Sequence, residues 1–181
     1  RNENDKILIY KPDGKSVKKM SEIAYNMDEG NYINDIFLYK NNLIVQSNSF
    51  NGDYDIFTNI DIYSLADIKN PKKIHSFKQQ GSYVSSRITS DSLLVISNKE
   101  IYSHLCKTDK DYLPQTTLDG TEKAVEPKDI CVVDNSKSAS YLIVSKLDLV
   151  SKKMTTETKA IAGAGSTVYC NENNLYVANA V

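Results

Sequence analysis

Two short clusters hold residue types that could do chemistry. Asn51-Gly-Asp-Tyr-Asp55 gathers side-chain oxygens in a turn-forming stretch, as a calcium loop does, and makes Asp53 and Asp55 the candidate metal ligands. The later glutamate and the full ligand spacing are missing, so a solvated loop is favoured over a calcium site. The second cluster is Arg87 among Tyr83, Ser85 and Thr89, within a run of β-type residues. Tyr83 and Arg87 are the binding candidates there, set against the plainer account that Arg87 is held in a structural ion pair.

Other constellations fail on spacing. Neither of the two histidines, His75 and His104, has a histidine or cysteine at ligand distance in sequence, which leaves transition-metal chemistry without its usual ligands. No Gly-x-Ser-x-Gly elbow occurs, and no histidine is placed to activate a serine. Gly163-Ala-Gly165 lacks the third glycine, the preceding strand and the following helix of a dinucleotide loop, and reads as a turn. The three cysteines, Cys106, Cys131 and Cys170, contain no C-x-x-C pair. Cys170 reads as a small core residue, whereas Cys106 and Cys131 could pair across a loop if the chain is exported.

The elements that must position these residues are β-strands. With 181 residues, 40% of them hydrophobic, and only 7 glycines and 4 prolines, the chain can bury the core of one ordinary domain. Its 22 basic and 23 acidic residues are interspersed, so no electrostatic face marks a nucleic-acid partner. Twelve tyrosines and no tryptophan suit sheet surfaces, where a ring packs while its hydroxyl stays wet. No apolar run approaches the ~18 residues that a membrane span needs. Beginning at Arg1 without a leader-like segment, the sequence reads as a processed or excised piece whose targeting element lies outside it.

Internal repetition organises the chain. A polar turn followed by a hydrophobic strand recurs at Asn41-Asn-Leu-Ile-Val45, Asp91-Ser-Leu-Leu-Val95 and Asn173-Asn-Leu-Tyr-Val177. Leu43 and Leu93 are 50 residues apart; Leu93 and Leu175 are 82 apart, the excess falling in an excursion over 102–140. A period near 50 with four strands per unit is the signature of a β-propeller blade. The reading is an outer hairpin at 1–23, a full blade at 31–77, a full blade at 82–161 carrying the 102–140 insertion, and an inner hairpin at 166–181. That makes about three blade equivalents of antiparallel sheet, too few to close a ring. Arg87 then lies on an innermost strand, facing a central channel or a partner. Those innermost strands offer Asp35 but no second carboxylate at the ~5–10 Å separation that glycan hydrolysis requires. Lys18-Lys19, Lys72-Lys73 and Lys152-Lys153 fall at or just before the fourth strand of a unit, where lysine protects an exposed edge. The excursion is expected to hang from the second full blade, broken at Leu118-Asp-Gly120, Glu126-Pro127 and Asp134-Asn-Ser136, with a short strand near Ile130-Cys-Val-Val133.

The chain resembles secreted bacterial proteins with a C-terminal β-propeller domain distantly related to WD-40 repeats. The resemblance lies in Gly81-Ser-Tyr-Val-Ser-Ser-Arg-Ile88, Ile62-Tyr-Ser-Leu-Ala-Asp-Ile-Lys-Asn-Pro-Lys-Lys-Ile74, Glu126-Pro-Lys-Asp-Ile130 leading to Tyr141, and Asn173-Asn-Leu-Tyr-Val177. It implies an extracellular or cell-surface protein anchored outside this segment, and no catalytic residues. The expected function is a non-catalytic binding or scaffolding module that meets a protein or glycan through its loops. The alternative is part of an extracellular hydrolase whose active site is completed by other blades. Further blades, or a second copy, are expected to cover the open ends.

Overall fold

The computed structural model describes residues 5–25, 32–52, 55–136, 138–151, 153–171 and 174–178. A first hairpin joins β1 (Asp5–Asp13) to β2 (Ser16–Tyr25). Four antiparallel strands follow in a meander: β3 (Tyr32–Tyr39), β4 (Asn42–Asn51), β5 (Asp55–Ser64) and β6 (Lys72–Gln80). The next sheet begins with β7 (Ser82–Thr89) and β8 (Ser92–Glu100) and resumes with β12 (Ser140–Asp148) and β13 (Thr156–Ala162). A last hairpin pairs β14 (Thr167–Cys170) with β15 (Leu175–Ala178). The repeat units are therefore blades, and the chain is all-β, a segment of a β-propeller. Among the described residues no strand pairing joins the first hairpin to the last. Lys152 and Asn173 lie outside the described residues.

Strand alternation decides how the sheets stack, because successive side chains point to opposite faces. On β4, Leu43 and Val45 pack with Ile7, Ile9 and Ile23 of the first hairpin, while Ile44 points the other way into a core shared with the second blade. That shared core joins Ile60, Ile62 and Phe77 of the first blade to Leu93, Val95 and Leu147 of the second. A third cluster, around Ile96 and Leu142, takes up Val168, Leu175 and Val177 of the last hairpin. Each blade is thus buried on both faces and each hairpin on one.

Polar groups pin these layers. Asp61, 8% exposed, accepts from Tyr25 Oη at 3.0 Å and from Lys73 Nζ at 2.8 Å, which ties the first hairpin to the first blade. Burial, aided by Tyr63 and by the neighbouring carboxylate, pushes the Tyr25 hydroxyl well above its ordinary range. Between the two blades, Tyr39 Oη donates to Asp91 at one end, and the fully buried Gln79 donates to Ser97 Oγ at 2.8 Å towards the other.

The excursion does not hang from the second blade alone. It contains α1 (Asp109–Tyr112), β9 (Gln115–Leu118), β10 (Thr121–Ala124) and β11 (Ile130–Val132). Only β11 joins the second blade, parallel to β13, as the Ile130-Cys-Val-Val133 expectation had it. β9 pairs with β6, so the first blade becomes a six-stranded sheet in the order β10-β9-β6-β5-β4-β3. The Asp-Gly dipeptide read as a break is the turn of this extra hairpin: Asp119 and Gly120 both have positive φ, +47° and +82°, as a two-residue type I′ turn demands. Edge protection of β6 is correspondingly shared: β9 covers Phe77 to Gln79, while Lys72 and Lys73 keep the uncovered start.

Asp119 is also the latch. Its carboxylate accepts from Ser76 N at 2.8 Å and lies 2.8 Å from His75 Nδ1. Burial pushes this carboxyl up, but the Ser76 and His75 contacts outweigh it and hold the group below its ordinary range. A depressed carboxyl stabilises the fold above its unfolded pKa, about 3.9, and loses that contribution as pH falls through the lower folded value. Asp119→Asn tolerates the same φ, so its effect isolates the charge. The variant is expected to exchange the Asp119 amide, which donates to Ser76 O at 2.9 Å, several-fold faster than wild type at neutral pH, with the difference closing in acid. Hydrogen exchange reads this directly; equal rates at neutral pH would remove the latch.

Candidate functional site

The link between the two full blades is a single residue, Gly81, with φ +98°. Its N–H donates to Ile56 O at 2.7 Å and its carbonyl accepts from Thr58 Oγ1 at 2.9 Å, so the crossing is pinned on both sides. A Cβ here would stand 2.6 Å from the Asn98 carbonyl carbon, and only glycine permits that approach of link to β8. Around this crossing lies a pocket of about 410 Å³. Its lining includes Asn51 and Asp55 from the ends of β4 and β5, Asn98 to Tyr102 from the end of β8 and just beyond it, and Cys106 and Asp111 from the excursion.

Besides the pairing of β9 and β11, hydrogen bonds near the pocket hold the excursion in that position. Ile101 N donates to Ala139 O at 2.7 Å and closes its base. Lys99 Nζ donates to Asp111 O at 3.2 Å and to Leu113 O at 3.4 Å. The Gln115 amide donates to Gln80 Oε1 at 3.0 Å. Asp111 in turn accepts from the Thr108 and Lys107 amides at 2.7 and 2.8 Å, which holds its carboxyl below the ordinary carboxylate range. Burial lowers the Lys99 amine, against the opposing pull of Cys106, Asp55 and Asp111. A desolvated amine committed to backbone carbonyls is a structural clamp as well as a wall of the pocket.

The sequence candidates are dispersed. Asp55 is in the pocket wall, and Asp53 lies outside the described residues. Among the described residues no three His, Cys, Asp or Glu side chains gather as a metal centre would need. Tyr83 and Arg87 are on the same strand but on opposite faces. Tyr83 turns towards the first blade, where Tyr83 Oη and Ser86 Oγ are 2.9 Å apart. Burial raises its hydroxyl, partly offset by Ser86. Arg87 turns the other way: its Nη1 donates to Cys170 O at 3.2 Å, and its guanidinium lies 5.8 Å from the Tyr169 ring centre. Among the described residues the partners of Arg87 are thus a carbonyl and a ring, which join the second blade to the last hairpin. All three cysteines are free thiols, Cys106 in the pocket and Cys131 exposed on β11.

Sequence reasoning missed Lys99, Tyr102 and Asp111. Nothing local marks them, because they meet only when the excursion folds back over the crossing. No helix among the described residues is long and apolar enough to cross a membrane. No curated protein and no solved structure matches the chain. A family model described as a beta propeller domain matches residues 2–181, and the chain belongs to that family.

Proposed function

We propose that this chain is part of a non-catalytic extracellular binding or scaffolding module of a bacterial cell-surface protein, with the strand-end loops and the 102–140 excursion as its contact surface. The observation that carries the reading is the excursion itself. A long insertion with little apolar content is normally mobile; this one is fixed to both blades through β9, β11, Lys99 and Gln80. Holding an insertion so firmly over a concave junction favours recognition, since a preformed site avoids the cost of ordering on binding. The outer faces of the two end hairpins, with Leu8, Tyr10 and Val17 on one and Tyr169 and Tyr176 on the other, are exposed, and further blades or a second copy would cover them.

A screen of glycans and peptides against the complete ectodomain tests the proposal. Because Ile101 N and Ala139 O are hydrogen-bonded, a short Gly-Ser link can replace the excursion without stretching the blade. The expected result is a bound ligand released unchanged, with affinity reduced at least tenfold by the replacement. Turnover of the ligand would favour the hydrolase instead, and undiminished affinity would place the contact surface elsewhere.

A further inference from the structure

We infer that the junction pocket around Gly81 is a subsite for a neutral hydroxylated ligand, one or two units of a saccharide. This rests on the binding-module reading and narrows it to one place and one chemistry. Size comes first: about 410 Å³ is near the small end of ligand pockets, which run from about 300 to 1,000 Å³. Such a space suits a short saccharide and not a folded partner's surface.

Charge comes next. Lys99 is the one basic group among the described lining residues, and it already donates to two backbone carbonyls, while Asp55, Glu100 and Asp111 line the same pocket. The wall is net negative, so a phosphate, sulfate or carboxylate ligand meets repulsion. A metal cation is also poorly served, because Asp111 is engaged by the Lys107 and Thr108 amides and, among the described residues, no three His, Cys, Asp or Glu side chains gather to hold one.

What the wall does offer is matched to hydroxyls. Asn51 and Asn98 are lining residues that carry primary amides, each of which donates and accepts, as a hydroxyl does. The carboxylates of Asp55 and Glu100, on exposed residues, accept only, and suit the hydroxyl donors of vicinal pairs. Tyr102, a lining residue 40% exposed and in edge contact with His104 at 6.1 Å between ring centres, carries the aromatic ring that could stack on the C–H face of a pyranose.

The test is a titration of the isotope-labelled full chain with N,N′-diacetylchitobiose, cellobiose and maltose in turn, followed by amide chemical shifts. With at least one of them, shifts should cluster at Gly81, Ser82 and Asn98 to Tyr102 and leave the β3–β4 turn at Tyr39 to Asn42 unmoved. Tyr102→Ala should weaken that binding about tenfold, the order of one lost aromatic contact, and Tyr102→Phe should restore it. A second readout needs no variant: alkylation of Cys106, which lines the pocket, should slow several-fold with saccharide present, while alkylation of the exposed Cys131 stays unchanged. The inference is overturned if none of the three moves the pocket amides, if inorganic phosphate moves them more, or if Cys106 and Cys131 respond alike. A ligand from the broader screen that leaves the pocket amides still would overturn this subsite while leaving the binding module intact.

Discussion

Gly81→Ala is expected to destabilise the domain by about 3 kcal/mol or more, a fall in melting temperature of roughly 6–12 °C for a chain of this size. Two costs add. The residue holds φ +98°, outside the range that a side chain accepts comfortably, and its Cβ would sit 2.6 Å from both the carbon and the oxygen of Asn98 and 2.8 Å from Lys99 N. All three are backbone atoms of β8, so relief requires the blades to part. Gly14→Ala is the matched control: its φ is +61° and nothing lies within 4 Å of the added carbon, so only the conformational cost of about 1 kcal/mol remains. Thermal melts of the two variants separate clash from dihedral strain. Equal losses would mean that the crossing is looser than the Asn98 contact implies.

Phe77→Ala should cost about 3–5 kcal/mol, the usual range for a fully buried phenylalanine. The site cannot collapse easily, because Phe77 is wedged between Ile44, Ile60 and Ile62 of its own sheet and Leu93, Val95 and Leu147 of the next blade. Leu118, opposite Phe77 across the β6–β9 pair, packs on the same cluster. The cavity therefore weakens three contacts together, and hydrogen-exchange protection should drop on β8 and β12 as well as on β6. Phe77→Leu, which keeps most of the volume, should cost under about 1.5 kcal/mol. If protection fell on the first blade alone, the two blades would be energetically separate units.

The blade pattern was legible because it rests on alternation and turn chemistry, both local. Asn41-Asn42 and Asp91-Ser92 mark the β3–β4 and β7–β8 hairpins where the structure has them, with Lys40 and Ser90 at positive φ. Two things were not local. Tyr83 and Arg87, four residues apart, belong on one face by strict alternation; a bulge between Tyr83 and Ser85 reverses the parity and sends them to opposite sides. The same irregularity occurs between Ile33 and Asp35 in the preceding blade, so it is a property of the repeat, yet nothing in Tyr-Val-Ser announces it. The excursion failed for a different reason. Its Asp119-Gly120 turn between Thr116-Thr-Leu118 and Thr121 is a recognisable hairpin signal, but pairing with β6 is a choice among free edges that only the folded sheets settle. The pocket, assembled from that choice, was illegible for the same cause.

The hairpin lent by the second blade to the first also fixes an order of events. The outer edge of the first blade is complete at Gln80, but the strand that covers it does not exist until Leu118 and its turn to Ala124 have been made. At a synthesis rate of about 5–20 residues per second, those roughly 44 residues take about 2–9 s. Throughout that interval β6 is a bare edge, open to any other nascent strand. Lys72, Lys73 and Lys78 stand along it in the meantime, three like charges on a strand whose middle will end up covered. The service of Lys78 there is temporal: it guards the newborn chain until β9 covers its stretch, whereas Lys72 and Lys73 go on protecting the start of the strand that β9 leaves bare.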